Sequence, residues 1–482
     1  MSTIGVAFKT TISPVRRTKI VTTLGPATSE PAAVNALLAA GADVVRLNAA
    51  HGDAAVHVLA ATIARSQAAI LGRAVGVLVD LPGPKLRTGE IEGEEVELHA
   101  GYDFTLSGEP IEGDRDRVST TTPALADWVG PGDDIFLADG AIVLKVKEVK
   151  GRDVLCHVVR GGVLRSRKGM HVPRAEHFVD PFTEADLVAL DLALSIRAEF
   201  IGLSFVRRPE DVENVRARLP KRGPRPHLVA KIETAAALDH LAGIVSAADA
   251  VMVARGDLGI QVPARRVPLI QKEIIRFCNM AGKPVITATQ MLESMTHAPL
   301  PTRAEVNDVA NAVLDGTDAL MLSEETAVGL YPTDAVRTMA EVAESAETWP
   351  RQRAAPAAGA LDDDKVAWAV AHAAVQAAED LGVAAILCPT QSGRTARRVA
   401  AFRPPMPIAG ISTDPHVRGR LTLVWGVQPL AAPPNTGDDL EAHAVEAALD
   451  SGLVKSGDLV TLVAGAPGRR AGSTDHVRVV RA

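Results

Sequence analysis

The sequence predicts an α/β protein: a (β/α)8 TIM barrel, a small β-barrel domain inserted in it, and a separate C-terminal α/β domain. Three observations carry this. Short β-branched runs alternate with longer amphipathic stretches, the pattern of strands in a parallel sheet wrapped by helices, and eight such runs precede residue 326. The alternation breaks once, after the third run. It resumes beyond a Pro- and Ala-rich segment, "TWPRQRAAPAAGALDDD" (348–364). A chain of 482 residues has room for about three domains on the usual length prior.

The eight runs are, in order, "KIVTTL" (19–24), "DVVRLN" (43–48), "VGVLVD" (75–80), "FIGLSFV" (200–206), "HLVAKIE" (227–233), "AVMVARGD" (250–257), "PVITATQ" (284–290) and "ALMLSEE" (319–325). Most lead into a helix-like stretch such as "PAAVNALLAA", "DAAVHVLAATIARSQAAI" or "VPLIQKEIIRFCNMAG", and eight βα units close naturally into a barrel. The third unit differs. Between Gly89 and about Phe178, Gly-rich turns separate alternating segments ("EEVELHA", "DDIFLADG", "AIVLKVKEV", "DVLCHVV"), which predicts a β lid domain over 89–178. The barrel then occupies 1–88 and 179–347. Beyond the linker, "AAILCPT", "PIAGIST", "VQPLAA", "DLVTLVAGA" and "HVRVVRA" give an α/β regulatory domain over 358–482.

Composition excludes several functions. No stretch approaches the roughly 18 consecutive apolar residues of a membrane helix. The N-terminal "MSTIGVAFKTTISPVRRTKI" is interrupted at Lys9 and Thr10 before any apolar core of a secretory signal. Cys156, Cys278 and Cys388 form no disulfide framework and no Cys-x-x-Cys spacing, so a cytoplasmic location is expected. The net charge of −7 is spread without a basic stripe, which argues against nucleic acid.

Barrel enzymes place chemistry where strands end, because the βα loops converge on one rim. Strand two delivers Arg46, Asn48 and His51; strand three, Asp80, Lys85 and Arg87; strand five, Lys231 and Glu233; strand six, Arg255 and Asp257; strand seven, Thr289 and Gln290; strand eight, Ser323, Glu324 and Glu325. Any one of these reads as a solvated loop charge, but the set points to a common site. Glu233 and Asp257 come from adjacent strands and could share one hard cation such as Mg2+ or Mn2+, while the absence of His and Cys there argues against zinc. Arg46, Arg87 and Lys231 suit a strongly anionic substrate such as a phosphate ester. Cations around a carboxylate-bound metal are the usual equipment of phosphoryl transfer.

The chain resembles the pyruvate kinase family over nearly its whole length, through "TKIVTTLGPAT", "VVRLNAAHG", "GPKLRTG", "AKIE", "VMVARGDLGI", "KPVITATQMLESM", "PTRAEVNDVANAVLDGTDALML" and "SEETAVGLYP" in the family's order. The resemblance implies phosphoryl transfer from phosphoenolpyruvate to ADP, followed by protonation of the enolate to pyruvate, in a cytoplasmic homotetramer. It implies that Lys231 stabilises the transferring group, Arg46 binds phosphate, Glu233 and Asp257 hold the metal, and Gly256 offers a backbone contact to the substrate carboxylate. Thr289 lies where the family relays the proton, and His51, Arg87 and Lys168 match nucleotide-contacting positions. Lys168 makes the inserted domain a lid over ADP. In "CPTQSGRTARR", Thr390, Ser392, Arg394 and Thr395 match a loop that binds activating sugar phosphates or other effectors in many members. An ordinary Ser/Thr helix cap explains them equally well.

Three departures from the family pattern stand out: Pro82, Asn307 and Val56. A fourth concerns a monovalent ion. Members with a glutamate where Lys85 stands need K+, and its ligands map here to Asn48, Ala50, Asp80 and the Leu81 carbonyl. Ala50 has no hydroxyl, so Lys85 is expected to replace the ion with a tethered ammonium and to make K+ dispensable. The rival functions are a metabolite-binding regulatory paralogue without turnover and a Mg2+-dependent lyase acting on pyruvate enolates. Retention of Lys231, Glu233, Asp257 and Thr289 favours the kinase.

Overall fold

The computed structural model describes residues 16–84, 86–138, 140–174, 178–349, 365–432, 440–465 and 474–482. Lys85, most of the predicted linker and most of the N-terminal stretch read for a signal lie outside the described residues.

The barrel strands are Lys19–Thr23, Val44–Asn48, Gly76–Asp80, Phe200–Leu203, His227–Ile232, Ala250–Ala254, Val285–Ala288 and Ala319–Leu322. All pair in parallel with their barrel neighbours, and the eighth returns to the first at Lys19↔Ala319, closing the ring. β-branched and small residues suit strands buried on both faces. The helices obey the local signals. Pro31–Ala40 opens on a proline; Ala54–Ile70 is capped by Asp53, whose side chain accepts the Val56 N–H at 3.1 Å; Val267–Ala281 ends at Gly282, left-handed with φ 61°. Strand six is shorter than the sequence predicts. It stops at Ala254 and the helix Arg255–Gln261 begins at once, so Asp257 lies in a first helical turn.

The barrel interior is filled by Val21, Val44, Leu78, Phe200, Val229, Met252, Ile286 and Met321, together with Leu423 from the C-terminal domain, which plugs the floor. A second, larger cluster lies between strands and helices. The inserted chain forms a six-stranded sheet and a two-stranded ribbon, Glu95–Leu98 with Gly162–Arg165, around one core that includes Phe104, Ile135, Leu144 and Leu164. It joins the barrel through two adjacent passes of chain, bridged at Arg87↔Gly169. The C-terminal domain is a five-stranded sheet in which Ala385–Pro389, Ile408–Ser412, Val427–Ala431 and Leu459–Ala464 are parallel and His476–Arg481 is an antiparallel edge. It sits under the barrel, where Lys19 Nζ donates to Val427 O at 2.7 Å and Arg403 pairs with Asp318 at 3.0 Å. The rim opposite is left to the inserted domain.

Candidate active site

The rim carries a compact ionic cluster. Asp80 ends strand three and is 1% exposed. Its Oδ2 takes Arg46 Nε at 2.8 Å and Nη2 at 2.7 Å, a two-pronged contact made possible because Arg46 lies on the adjacent strand. Its Oδ1 lies 3.1 Å from Lys231 Nζ, an ion pair without hydrogen-bond alignment. Lys231 Nζ also reaches Glu233 Oε1 at 2.9 Å and donates to Ser204 Oγ at 2.8 Å, and that hydroxyl donates to Leu81 O at 2.7 Å. Glu233 Oε2 accepts the Phe205 N–H at 2.7 Å, and Arg46 Nη1 donates to Thr23 Oγ1 at 3.0 Å. Ammonium and guanidinium are thus held at fixed points by groups on strands one to five.

The electrostatics follow from burial and pairing. Burial alone would lower the Lys231 pKa, but Asp80 and Glu233 outweigh it and raise it, so the ammonium stays charged. Burial would raise Asp80, yet Lys231 and Arg46 hold it below the usual carboxylate range. Glu233 is raised, first by burial and then by the charge of Asp257, against the pull of Lys231. Two carboxylates whose charges repel at the rim could together hold a divalent cation. Among the described residues no group of three or more His, Cys, Asp and Glu stands together as a metal cage.

Thr289 follows strand seven. Its Oγ1 accepts the Gly256 N–H at 2.9 Å and donates to Ala288 O at 2.7 Å. The backbone N–H expected to meet a substrate carboxylate therefore faces the threonine hydroxyl here. Asn48 Oδ1 accepts the Ala50 N–H at 3.2 Å. The His51 carbonyl meets His57 Nε2 at 2.8 Å. Arg87 and Lys168 stand on the two passes into the inserted domain. Arg87 Nη1 donates to Arg167 O at 3.2 Å, and the Lys168 N–H to Thr88 Oγ1 at 3.0 Å. The inserted domain meets the rim beside Asp257, where Gln261 Nε2 lies 3.3 Å from His171 Nδ1 across a cleft lined by Phe136, Met170, Phe205 and Ile260. In the C-terminal domain, Thr390 Oγ1 accepts the Gly393 N–H at 2.9 Å, Ser392 Oγ accepts the Arg394 N–H at 3.4 Å, and Thr395 is buried against Thr474 at 2.8 Å.

Sequence reasoning brought Arg46, Asp80, Lys231 and Glu233 to one rim, and the structure joins them directly. It missed Ser204 and Thr23. Each stands at or just past the end of an apolar run, the position used to pick the other candidates, but a lone hydroxyl carries no charge to draw attention.

A closed barrel whose rim holds fixed cations beside two carboxylates under a second domain belongs to the phosphotransferase class, where the protein mainly positions groups and offsets charge. The family model described as pyruvate kinase, barrel domain, matches residues 15–336, and the one described as pyruvate kinase, alpha/beta domain, matches residues 368–480. The chain is 43% identical to a pyruvate kinase of Geobacillus stearothermophilus, over 96% of this chain and 80% of that one. It is also 43% identical to a pyruvate kinase of Mycobacterium tuberculosis, over 97% and 98%. A crystal structure of a pyruvate kinase from Cryptosporidium parvum superposes with a TM-score of 0.85 at 32% identity, covering 97% of this chain and 96% of that one. The chain belongs to the pyruvate kinase family.

Proposed function

We propose that the rim cluster is the catalytic centre of a pyruvate kinase that works without K+, transferring the phosphoryl group of phosphoenolpyruvate to ADP. The observation that carries this reading is the buried Lys231 ammonium, braced by Asp80, Glu233 and Ser204. Held so, it needs no reorganisation to meet the charge that develops on a phosphoryl group in flight. Arg46, fixed by Asp80 and Thr23, binds the same phosphate. Glu233 and Asp257 hold the divalent ion, which when bound offsets the charge of the enolate and phosphate oxygens. Gly256, whose N–H engages the Thr289 hydroxyl, borders the place of the substrate carboxylate. Thr289 stands at the enolate carbon as the last hydroxyl of a proton relay; a threonine at its ordinary pKa is a poor acid, so solvent supplies the proton behind it. His51, Arg87 and Lys168 receive the nucleotide, with the inserted domain closing over it.

Independence from K+ is supported by the groups that would form the ion's cage. Ala50 offers no hydroxyl, Asn48 Oδ1 already accepts a backbone N–H, and both Asp80 oxygens face fixed cations. Lys85, outside the described residues, supplies the replacing charge in this reading. The loop of Thr390, Ser392, Arg394 and Thr395 is proposed as the site of a sugar-phosphate or nucleotide effector, in a cytoplasmic homotetramer.

One experiment tests the centre. Pyruvate formation from phosphoenolpyruvate, ADP and Mg2+ is followed in tetramethylammonium buffer free of K+ and NH4+. We expect full turnover there and a fall in kcat of about 100- to 1000-fold in Lys231→Met, the range for losing one fixed charge-stabilising donor. A strong K+ requirement overturns the K+ reading, and an active Lys231→Met overturns the centre.

A further inference from the structure

The mechanism leaves the largely buried cation Arg255, its side chain 11% exposed, without a role. Arg255 opens the helix Arg255–Gln261, directly after strand six, and its side chain reaches the end of strand seven. There Nε donates to Ala288 O at 3.1 Å, and Nη2 donates to Thr289 O at 2.5 Å and to Gln290 O at 3.3 Å. Nη1 donates to Asp308 Oδ2 at 2.6 Å and to Gln271 Oε1 at 3.3 Å. A guanidinium has five N–H donors, and here six acceptors surround them, the sixth being Met291 Sδ, 2.7 Å from Nη2. Three are successive carbonyls of one short segment that Met291 continues; the other two come from the helices Val267–Ala281 and Arg303–Asp315.

The segment so held is an unusual one. Thr289 and Gln290 are consecutive and both left-handed, with φ 67° and 52°. Neither is glycine and Thr289 is β-branched, which makes this backbone costly, on the order of 1–3 kcal/mol per residue, and sustained only where the surroundings over-determine it. The left-handed turn has a visible consequence: it presents Thr289 Oγ1 to the Gly256 N–H at 2.9 Å. Arg255 and Gly256 are neighbours, so one helix start clamps the Thr289 carbonyl with a side chain and engages the Thr289 hydroxyl with its backbone.

We propose that Arg255, anchored by Asp308, is a positioning residue for the proton-transfer half of the reaction. It fixes the left-handed Thr289–Gln290 turn so that the Thr289 hydroxyl stands at the enolate carbon. It touches neither substrate nor metal. Transfer breaks the bond between phosphorus and the enol oxygen and joins phosphorus to an ADP oxygen; the enolate left behind then takes one solvent proton at its methylene carbon to become the methyl group of pyruvate. Only the second event needs the turn. Lysine cannot substitute, because a point charge with three donors does not span three carbonyls and the side chains of Gln271, Asp308 and Met291. The proposal rests on Thr289 being the relay hydroxyl.

The test uses the full chain with Mg2+ and ATP. Exchange of pyruvate methyl hydrogens with D2O, followed by NMR, isolates enolisation, while coupled turnover gives kcat and KM. We expect Thr289→Ala and Arg255→Lys each to slow exchange by about 100-fold, the scale for an angstrom of misplacement, with the KM for phosphoenolpyruvate moving less than about threefold. The double variant should be less than about twofold slower than Thr289→Ala, because residues acting as a unit are not additive. Asp308→Asn keeps the arginine but loosens its anchor and should slow exchange by roughly threefold to tenfold, which keeps the idea testable if Arg255→Lys does not fold. Arg255→Lys or Asp308→Asn exchanging at the wild-type rate while Thr289→Ala is slow overturns the clamp alone. A loss in the double variant equal to the product of the single losses does the same. Thr289→Ala exchanging normally overturns the relay reading and the clamp with it.

Discussion

Ser204 shows how much of this site depends on a side chain with no charge. Its hydroxyl accepts from Lys231 Nζ and donates to Leu81 O, so it ties the ammonium to the backbone after strand three. Without it, Lys231 keeps two carboxylate partners, Asp80 and Glu233, and its charge. What it loses is direction. Ser204→Ala is therefore expected to fold, and to lower kcat by about tenfold, the worth of one hydrogen bond to a charged group. Steady-state kinetics against the wild-type chain checks this, and a change confined to KM would point to ground-state binding instead. The strand-end rule could have found Ser204, since it follows the apolar run of strand four directly. Which of the many serines and threonines meets a buried ammonium depends on contacts between strands remote in sequence, and those are not written locally.

At the scale of elements, the barrel strands were legible because burial on both faces demands continuous β-branched runs, and "KIVTTL" or "VGVLVD" can hardly serve another purpose. The inserted domain was only half legible. Its strands Asp103–Ser107 and Arg117–Ser119 are short, polar and set among turns, and they are held in place by pairing with each other and with Asp153–Arg160 rather than by their own composition. The end of strand six misled for a different reason. "ARGD" continues the charged pattern of a strand end, yet helix begins at Arg255, and this gives Arg255 its reach to strand seven. Strand register also decides what can stand beside the cluster. Gly202 pairs with Asp80, and a Cβ there would lie 2.8 Å from Asp80 Oδ1. Gly202→Ala must push the carboxylate that orients Arg46 and meets Lys231. We expect a chain that folds but loses about 10- to 100-fold in kcat, for the same reason that small misplacements elsewhere are costly. Circular dichroism alongside turnover separates this from unfolding.

The two non-barrel domains meet the barrel at opposite ends, the inserted domain at the rim beside Asp257 and the C-terminal domain at the floor. The floor is a charged interface. Beneath strand five, His227 packs edge-on against Phe200, its Nε2 lies 3.3 Å from Arg420 Nη1 of the C-terminal domain, and Asp249, Arg397 and His416 stand around it. Asp249 pairs with Arg216 at 3.1 Å and accepts the Leu228 N–H at 3.0 Å. Burial lowers the His227 pKa well below the ordinary histidine value, so the native chain holds it neutral. The unfolded chain would take up a proton below about pH 6.5, and stability must fall as pH drops below that point. Asp249 works in the other range. Burial would raise it, but the Arg216 guanidinium and the Leu228 N–H help to hold it below the usual carboxylate range, so the stability it contributes is present above its unfolded value and is lost only as pH falls below that value. Acidification should therefore loosen the floor in two separated steps. Hydrogen exchange across Pro415–Leu421 and Val427–Ala431, with thermal unfolding at each pH, reads both. In His227→Gln, which keeps an acceptor for Arg420 but cannot titrate, the decline between about pH 7 and 5 should flatten while the acid step remains. A decline of unchanged steepness would show that the first step is not the protonation of His227.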